Sequence, residues 1–133
     1  MSYLIDTNTC VYAMNRDLEV LKILGRHRSR GVSVSSITVA ELEFGIYNSA
    51  KIDRNRFALT QFLAQVTPLE FGALEARHFG IIQADLRRRG CLLSVMDMLI
   101  AAHARALGLT LVTNDKAFSR IEGLKTVNWI RKT

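Results

Sequence analysis

A chain of 133 residues, 49% of them apolar, is long enough to form one domain with its own hydrophobic core. Its net charge of +6 comes mostly from arginine, with 13 Arg against 5 Lys, which favours an anionic partner such as a nucleic acid or an acidic protein. Two cysteines exclude a disulfide scaffold, and charged residues interrupt every apolar stretch before the roughly 20 residues that span a membrane. Without a signal-peptide pattern at the start, we expect a cytoplasmic protein that does not contact the membrane.

Short runs rich in β-branched residues alternate along the chain with longer segments of helical periodicity. This alternation predicts an α/β protein, a single domain over residues 1–133 with a short, mostly parallel central sheet flanked by helices. Strands are expected at 3–6, 32–35, 66–69, 110–113 and 126–128, and helices from Asn8 onward and over 17–29 (with Leu18, Leu21 and Leu24 on its apolar side), 38–48, 53–65, 73–89, 96–107 and 115–121.

Two aspartates follow predicted strands directly. Asp6 closes the first strand, and Asp115 follows the strand that ends at Thr113. In parallel sheets, ligands bind beyond the carboxyl ends of the strands, so both positions suit a functional site. Aspartate is also a common helix N-cap, and either residue could simply begin the next helix.

Two further acids lie on predicted helices that are mostly apolar. Glu41 shares a helix face with Ile37, Ala40, Phe44 and Asn48, where an unpaired carboxylate is costly unless it meets a cation. A Glu41–Arg ion pair is the alternative.

Asp97 is the one acid in the apolar segment 95–102. A helix with so little polar surface should be buried on most sides. The alternative for Asp97 is a first-turn acid that is favoured by the helix dipole.

If these four acids converge, their carboxylates cannot all stay ionised without a cation. Ligands that are oxygen atoms alone favour Mg²⁺, with Mn²⁺ as a substitute, and His27, His78 and His103 show no zinc-ligand spacing. A carboxylate-bound Mg²⁺ within a basic protein indicates phosphodiester hydrolysis.

Four sequence blocks in this order and spacing resemble the VapC family of PIN-domain nucleases: LIDTN at 4–8, SITVAELEFG at 36–45, MDMLIAAHA at 96–104 and VTNDKAF at 112–118. The resemblance implies that Asp6, Glu41, Asp97 and Asp115 form the active site, with Asp6 and Asp97 as the most direct metal ligands. It also implies that Thr7, Asn8 and Thr113 are supporting polar residues.

The resemblance further implies a Mg²⁺-dependent endoribonuclease toxin that cuts tRNA, with the initiator tRNA anticodon stem-loop as the narrower expectation. Its partners would be a VapB antitoxin and a second copy of the chain. It would contact DNA only indirectly, through the complex with the antitoxin. We expect that copy to cover a second apolar side of the Glu41 helix, formed by Val39, Leu42 and Ile46. Many relatives carry Pro-Ile-Gly shortly before the third acid, where this chain has CLLS at 91–94, a departure that bears on substrate choice.

Two arginine clusters have two interpretations. Both precede a glycine, as at the C-terminus of a helix, where cations interact favourably with the dipole. Both could also contact RNA phosphates. The clusters are Arg26, Arg28 and Arg30, and Arg87, Arg88 and Arg89.

Other functional classes fit less well. A haloacid-dehalogenase-like phosphatase needs a second aspartate two residues after the first, where this chain has Asn8. A response-regulator receiver needs an acidic pair before its phospho-accepting aspartate, and that pattern is not present. The remaining alternative is a catalytically degenerate PIN domain that binds RNA or protein.

Overall fold

The computed structural model describes residues 2–130, which form a five-stranded sheet flanked by six α-helices. The strands are β1 (Tyr3–Ile5), β2 (Val32–Ser35), β3 (Thr67–Leu69), β4 (Thr110–Val112) and β5 (Thr126–Val127). The helices are α1 (Thr7–Met14), α2 (Leu18–His27), α3 (Ser36–Tyr47), α4 (Ile52–Leu63), α5 (Ala73–Arg88) and α6 (Val95–Leu107), with short 3₁₀ segments at Arg28–Arg30 and Lys116–Arg120.

The sheet has the strand order β3-β2-β1-β4-β5, and every strand pair within residues 2–130 is parallel. The expected α/β architecture is therefore confirmed, and the sheet is more uniformly parallel than predicted. Polar side chains cap the starts of several helices: Asp6 accepts a hydrogen bond at the start of α1, Ser35 at the start of α3 and Ser94 at the start of α6. Gly108 ends α6 in the left-handed conformation, at φ 67°.

The core has two parts, one on each face of the sheet. Tyr3 and Ile5 point into the part that contains residues of α1–α4, whereas Leu4 between them points into the part formed with α5 and α6. Because β1 and β4 are buried on both faces, their sequences do not alternate between apolar and polar residues. No helix within residues 2–130 is long and apolar enough to cross a membrane.

The predicted apolar side of α2 was wrong at its first position. Leu18 is 80% exposed, and the buried residues are Val20, Ile23 and Leu24. The side chain of Asp17 accepts a hydrogen bond from the Val20 N–H, which makes Leu18 the first residue of the helix and turns it outward. The predicted apolar side included only leucines and therefore omitted Val20 and Ile23, the β-branched residues of α2 that are buried in the core.

The faces of α3 also differ from the prediction. Its buried residues are Thr38, Leu42 and Ile46, so Glu41 lies at the border of a partly exposed face on which Phe44 is 68% exposed. Leu42 and Ile46 are covered by the chain's own core, and the expectation that a second copy covers this side is wrong. The prediction treated α3 in isolation and did not foresee that α4 would pack against it.

Candidate active site

A cleft of about 560 Å³ opens where β1 and β4 end and the following segments begin. All four acids that the sequence singled out line it. Their neighbours in the cleft come from α1 and from the segment after β4: Thr7, Asn8, Val11, Asn114 and Phe118. The two strands end side by side because they pair in parallel, which brings residues distant in sequence to one place.

Asp6 is the most buried of the four carboxylates, at 5% exposed. Its Oδ1 accepts a hydrogen bond from the Thr9 N–H at 2.9 Å, so it caps α1 and lines the cleft at once. Burial raises its pKa above the ordinary value of 3.8, hydrogen bonds from Thr113 and Thr9 oppose this, and the charge of Asp97 adds to it. The ionised form of Asp6 is therefore costly until a cation is close.

Glu41 reaches the cleft from the middle of α3. Its Oε1 accepts a hydrogen bond from Thr7 Oγ1 at 2.5 Å, and Thr7 Oγ1 also lies 3.3 Å from Thr38 Oγ1. The ion pairs within residues 2–130 are Glu43–Arg56 and Asp85–Arg89, so the alternative Glu41–Arg pair does not form there.

Asp97 and Asp115 enter the cleft from two different helix starts. Asp97 lies in the first turn of α6, where its N–H donates to the capping Ser94 Oγ at 3.1 Å. Asp115 caps the 3₁₀ segment through a hydrogen bond from the Ala117 N–H at 2.9 Å, and its own N–H donates to Thr113 Oγ1 at 3.0 Å. The dipole alternative therefore holds for Asp97 and the capping alternative for Asp115, and neither conflicts with a position in the cleft.

Two residues that support the site, Asn114 and Thr38, were not identified from the sequence. Asn8 Nδ2 donates to Asn114 Oδ1 at 3.0 Å and joins the start of α1 to the segment after β4. Thr38 is fully buried behind Thr7. Asn114 belongs to the same sequence block as Asp115, and Thr38 lies one turn before Glu41, so each had a detectable signal.

The donors in the cleft suit a hard divalent cation, because carboxylate, hydroxyl and amide oxygens line it without histidine or cysteine. Within residues 2–130, no three His, Cys, Asp or Glu side chains lie close enough to hold an ion by themselves. Mg²⁺ does not need such a group, because it keeps several waters and binds one or two carboxylates directly.

The two arginine clusters lie at opposite ends of the sheet. Arg26, Arg28 and Arg30 end α2 and the 3₁₀ segment just before β2 starts, away from the cleft. The Arg87–Arg89 cluster ends α5, one short loop before the helix that carries Asp97. Within it, Arg89 already donates hydrogen bonds to Asp85 Oδ2 and to the Arg120 carbonyl, both at 2.6 Å.

Comparison with known proteins agrees with this geometry. The PIN domain family model matches residues 3–124, and ribonuclease VapC2 of Haemophilus influenzae is 40% identical over 132 residues, which cover 98% of this chain and 99% of that relative. The chain belongs to the VapC ribonucleases of the PIN-domain family. PIN-domain nucleases depend on divalent metals, in agreement with the oxygen donors of the cleft.

Two further VapC proteins extend the comparison. The tRNA(fMet)-specific endonuclease VapC of Shigella flexneri is 33% identical over 131 residues, which cover 97% of this chain and 98% of that relative. A crystal structure of VapBC2 from Rickettsia felis, bound to a DNA fragment from its promoter, matches with a TM-score of 0.94 at 35% identity, covering 98% of this chain and 100% of that one.

Proposed function

We propose that this VapC-family chain is a Mg²⁺-dependent endoribonuclease that cuts tRNA and thereby inhibits translation in the cytoplasm. The observation that carries the proposal is the convergence of four carboxylates, from four separate segments, in one cleft that lacks nitrogen and sulfur ligands. Initiator tRNA is the substrate we test first, because relatives with 33% and 32% identity are named tRNA(fMet)-specific endonucleases.

Each carboxylate has a distinct part in this proposal. Asp6 and Asp97 would bind the ion directly, since the charge of Asp97 already acts on Asp6. Glu41, held by Thr7, and Asp115, held by Thr113, would orient water and the remaining ligands. A bound Mg²⁺ would activate water and neutralise charge on the scissile phosphate, and Mn²⁺ would serve in its place.

Basic residues on the same side of the molecule as the cleft would contact the RNA phosphates that lie outside it. Arg87 and Arg88 are exposed near the loop that leads to Asp97. We assign Arg89 a smaller part because Asp85 and the Arg120 carbonyl occupy its guanidinium. Arg26, Arg28 and Arg30 would contact only RNA that extends to the far end of the sheet.

A VapB-type antitoxin is the proposed inhibitor, and DNA would be contacted only through the complex that the two proteins form. Relatives were solved as VapBC complexes, some of them bound to DNA. The carboxylates of the cleft would attract a basic side chain from an extended antitoxin segment. A groove of about 640 Å³ between α1 and α4, in which Phe57 is 66% exposed beside polar and basic side chains, offers the rest of that segment a surface to bind.

We also propose a homodimer, now on a different surface from the one first expected. Phe44 and Tyr47 on α3 are 68% and 67% exposed and form an apolar patch next to the helix position of Glu41. A Phe44→Glu variant should be monomeric by light scattering, whereas Leu18→Glu, at an even more exposed apolar position, should stay dimeric. A monomeric wild type at micromolar concentration would contradict the homodimer.

The decisive experiment is cleavage of purified total tRNA by the wild type and by Asp97→Asn, each with Mg²⁺ and with EDTA. We expect cutting only by the wild type with Mg²⁺, and sequencing of the new ends gives the cut site. Asp97→Asn keeps the backbone N–H that bonds to Ser94, so it should fold normally.

Thermal unfolding of both proteins in EDTA is the matching control. If a folded wild type binds Mg²⁺ but cuts no RNA, the catalytically degenerate binding module becomes the better description. If Asp97→Asn cuts at the wild-type rate, the assignment of the site is wrong.

A further inference from the structure

His103 is a fully buried histidine on α6 that lines no part of the cleft. Its Nδ1 lies 2.8 Å from Ser35 Oγ, while its Nε2 is buried without a hydrogen-bond partner among residues 2–130. Burial lowers the pKa of the imidazole, which favours the neutral ring. A leucine at this position would fill similar space without a buried unpaired nitrogen, so packing alone does not explain the histidine.

Ser35, the hydrogen-bond partner of His103, lies at the start of α3, which carries Glu41. Ser35 is itself fully buried, and its Oγ accepts the Ile37 N–H at 3.0 Å, which caps α3. The contact therefore joins the beginning of α3, the helix of Glu41, to the middle of α6, the helix of Asp97.

The spacing on the two helices is the same. Glu41 lies six residues after Ser35, and His103 lies six residues after Asp97, a separation of about 9 Å along a helix. Because Ser35 meets His103 at one end and Glu41 shares the cleft with Asp97 at the other, the two segments run in opposite directions. A shift at the Ser35–His103 contact therefore moves the two carboxylates relative to each other.

The loop before α5 encloses this contact. The Phe71 ring meets the His103 ring edge to face, with centroids 5.5 Å apart at 87°, and the Phe71 N–H donates to Ser36 Oγ at 3.2 Å. Glu75 holds the loop through a hydrogen bond from the Gly72 N–H. Ser35, His103 and Glu75 resemble a hydrolase triad in residue type, but the complete burial of Ser35 excludes a nucleophile that meets substrate.

We infer that His103 is a positioning residue: its hydrogen bond to Ser35 fixes α3 against α6 and so sets the separation of Glu41 and Asp97 across the metal site. This inference rests on the proposed function. The hydrogen bond has a defined direction in space, which an apolar contact between two helices lacks, and a displacement of about 1 Å at catalytic groups can lower a rate about a hundredfold.

The test compares His103→Leu, which removes the hydrogen bond, with His103→Asn, whose amide can take the place of Nδ1. Ile82→Val on α5 is the control, since it loosens the same core and lies outside the cleft. Calorimetry measures Mn²⁺ binding to each EDTA-treated protein, and kinetics with tRNA separate kcat from KM. Thermal unfolding in EDTA reports stability.

We expect His103→Leu to bind Mn²⁺ about tenfold more weakly and to lose kcat by a similar factor at fixed Mg²⁺, with KM for tRNA unchanged. His103→Asn should recover most of both losses, and Ile82→Val should show neither. Should His103→Leu fail to fold, Ser35→Gly breaks the same bond from the other side with a residue tolerated at N-caps, and the same losses are expected.

Wild-type Mn²⁺ affinity and kcat in folded His103→Leu would overturn the inference, as would equal losses in Ile82→Val. These results leave the proposed function intact, because the wild type still binds metal and cuts tRNA. A wild type that neither binds Mn²⁺ nor cuts RNA would instead remove the proposed function and this inference together.

Discussion

The two ends of β1 show how differently one strand can be used. At its first residue, Tyr3 packs against the rings of His27 and Trp129, with centroids 4.8 and 5.3 Å away, and the three rings belong to or border a continuous core. Directly after its last residue, Asp6 begins a cleft that three further carboxylates line. The first end stabilises the fold, and the second lowers its stability in exchange for a place where a cation can bind.

This difference follows from the parallel sheet. The carboxyl ends of β1, β2, β3 and β4 are each followed by the start of an α-helix or a 3₁₀ segment, whose free N–H groups favour acidic side chains. Asp6 and Asp115 satisfy that local need as caps, so their carboxylates are held in place before any metal is present. The aromatic end has no comparable requirement and can be filled by rings that pack at 3% to 9% exposure, as Trp129 and Tyr3 do.

The largest effect on stability is expected at the aromatic end. Trp129→Ala should lower the free energy of unfolding by about 3–5 kcal/mol, because a buried indole is removed and its cavity is left behind. Urea unfolding followed by far-ultraviolet circular dichroism measures the loss.

Mn²⁺ affinity of the variant, measured where it is still folded, should match that of the wild type. If the free energy of Mn²⁺ binding fell by as much as the free energy of unfolding, the two ends of β1 would be coupled, and the contrast drawn between them would be wrong.

At the cleft, a substitution should raise stability rather than lower it. Asp6→Asn keeps a side-chain oxygen that can cap α1 and removes a buried charge near Asp97. In EDTA at pH 7 the variant should therefore unfold at a higher temperature than the wild type. This gain in stability should be smaller than the loss that Trp129→Ala causes. Addition of Mg²⁺ should stabilise the wild type and leave Asp6→Asn unchanged.

The pH dependence provides an independent test of this effect. Because burial raises the pKa of folded Asp6 above 3.8, the folded state holds this proton more tightly than the unfolded chain. The contribution of Asp6 to the stability of the metal-free wild type should therefore fall as pH rises from about 4 through the folded pKa. The advantage of Asp6→Asn should grow over the same interval, and a difference independent of pH would contradict the raised pKa.

The sequence predicted the cleft better than it predicted the faces of the helices. The four acids could be found because each follows a strand or interrupts an apolar helix, and parallel pairing then brings strand ends together whatever the details of packing. The Ser35–His103 contact had no such signal, since it depends on how α3 and α6 cross. The burial of Leu42 likewise depends on contacts that a single helix pattern does not contain.

The smallest expected effect tests the corrected face of α2. Leu18→Ser should change the free energy of unfolding by no more than about 0.5 kcal/mol, because an 80% exposed side chain loses few contacts. Ile23→Ala, five residues later in the same helix, should cost about 2–5 kcal/mol, because Ile23 is buried in the same core cluster as Trp129. Urea unfolding of the two variants side by side measures the difference. Equal losses in the free energy of unfolding would mean that the Leu18 side chain is buried in solution. If the loss in Leu18→Ser grew with protein concentration, a second copy of the chain would be what buries it.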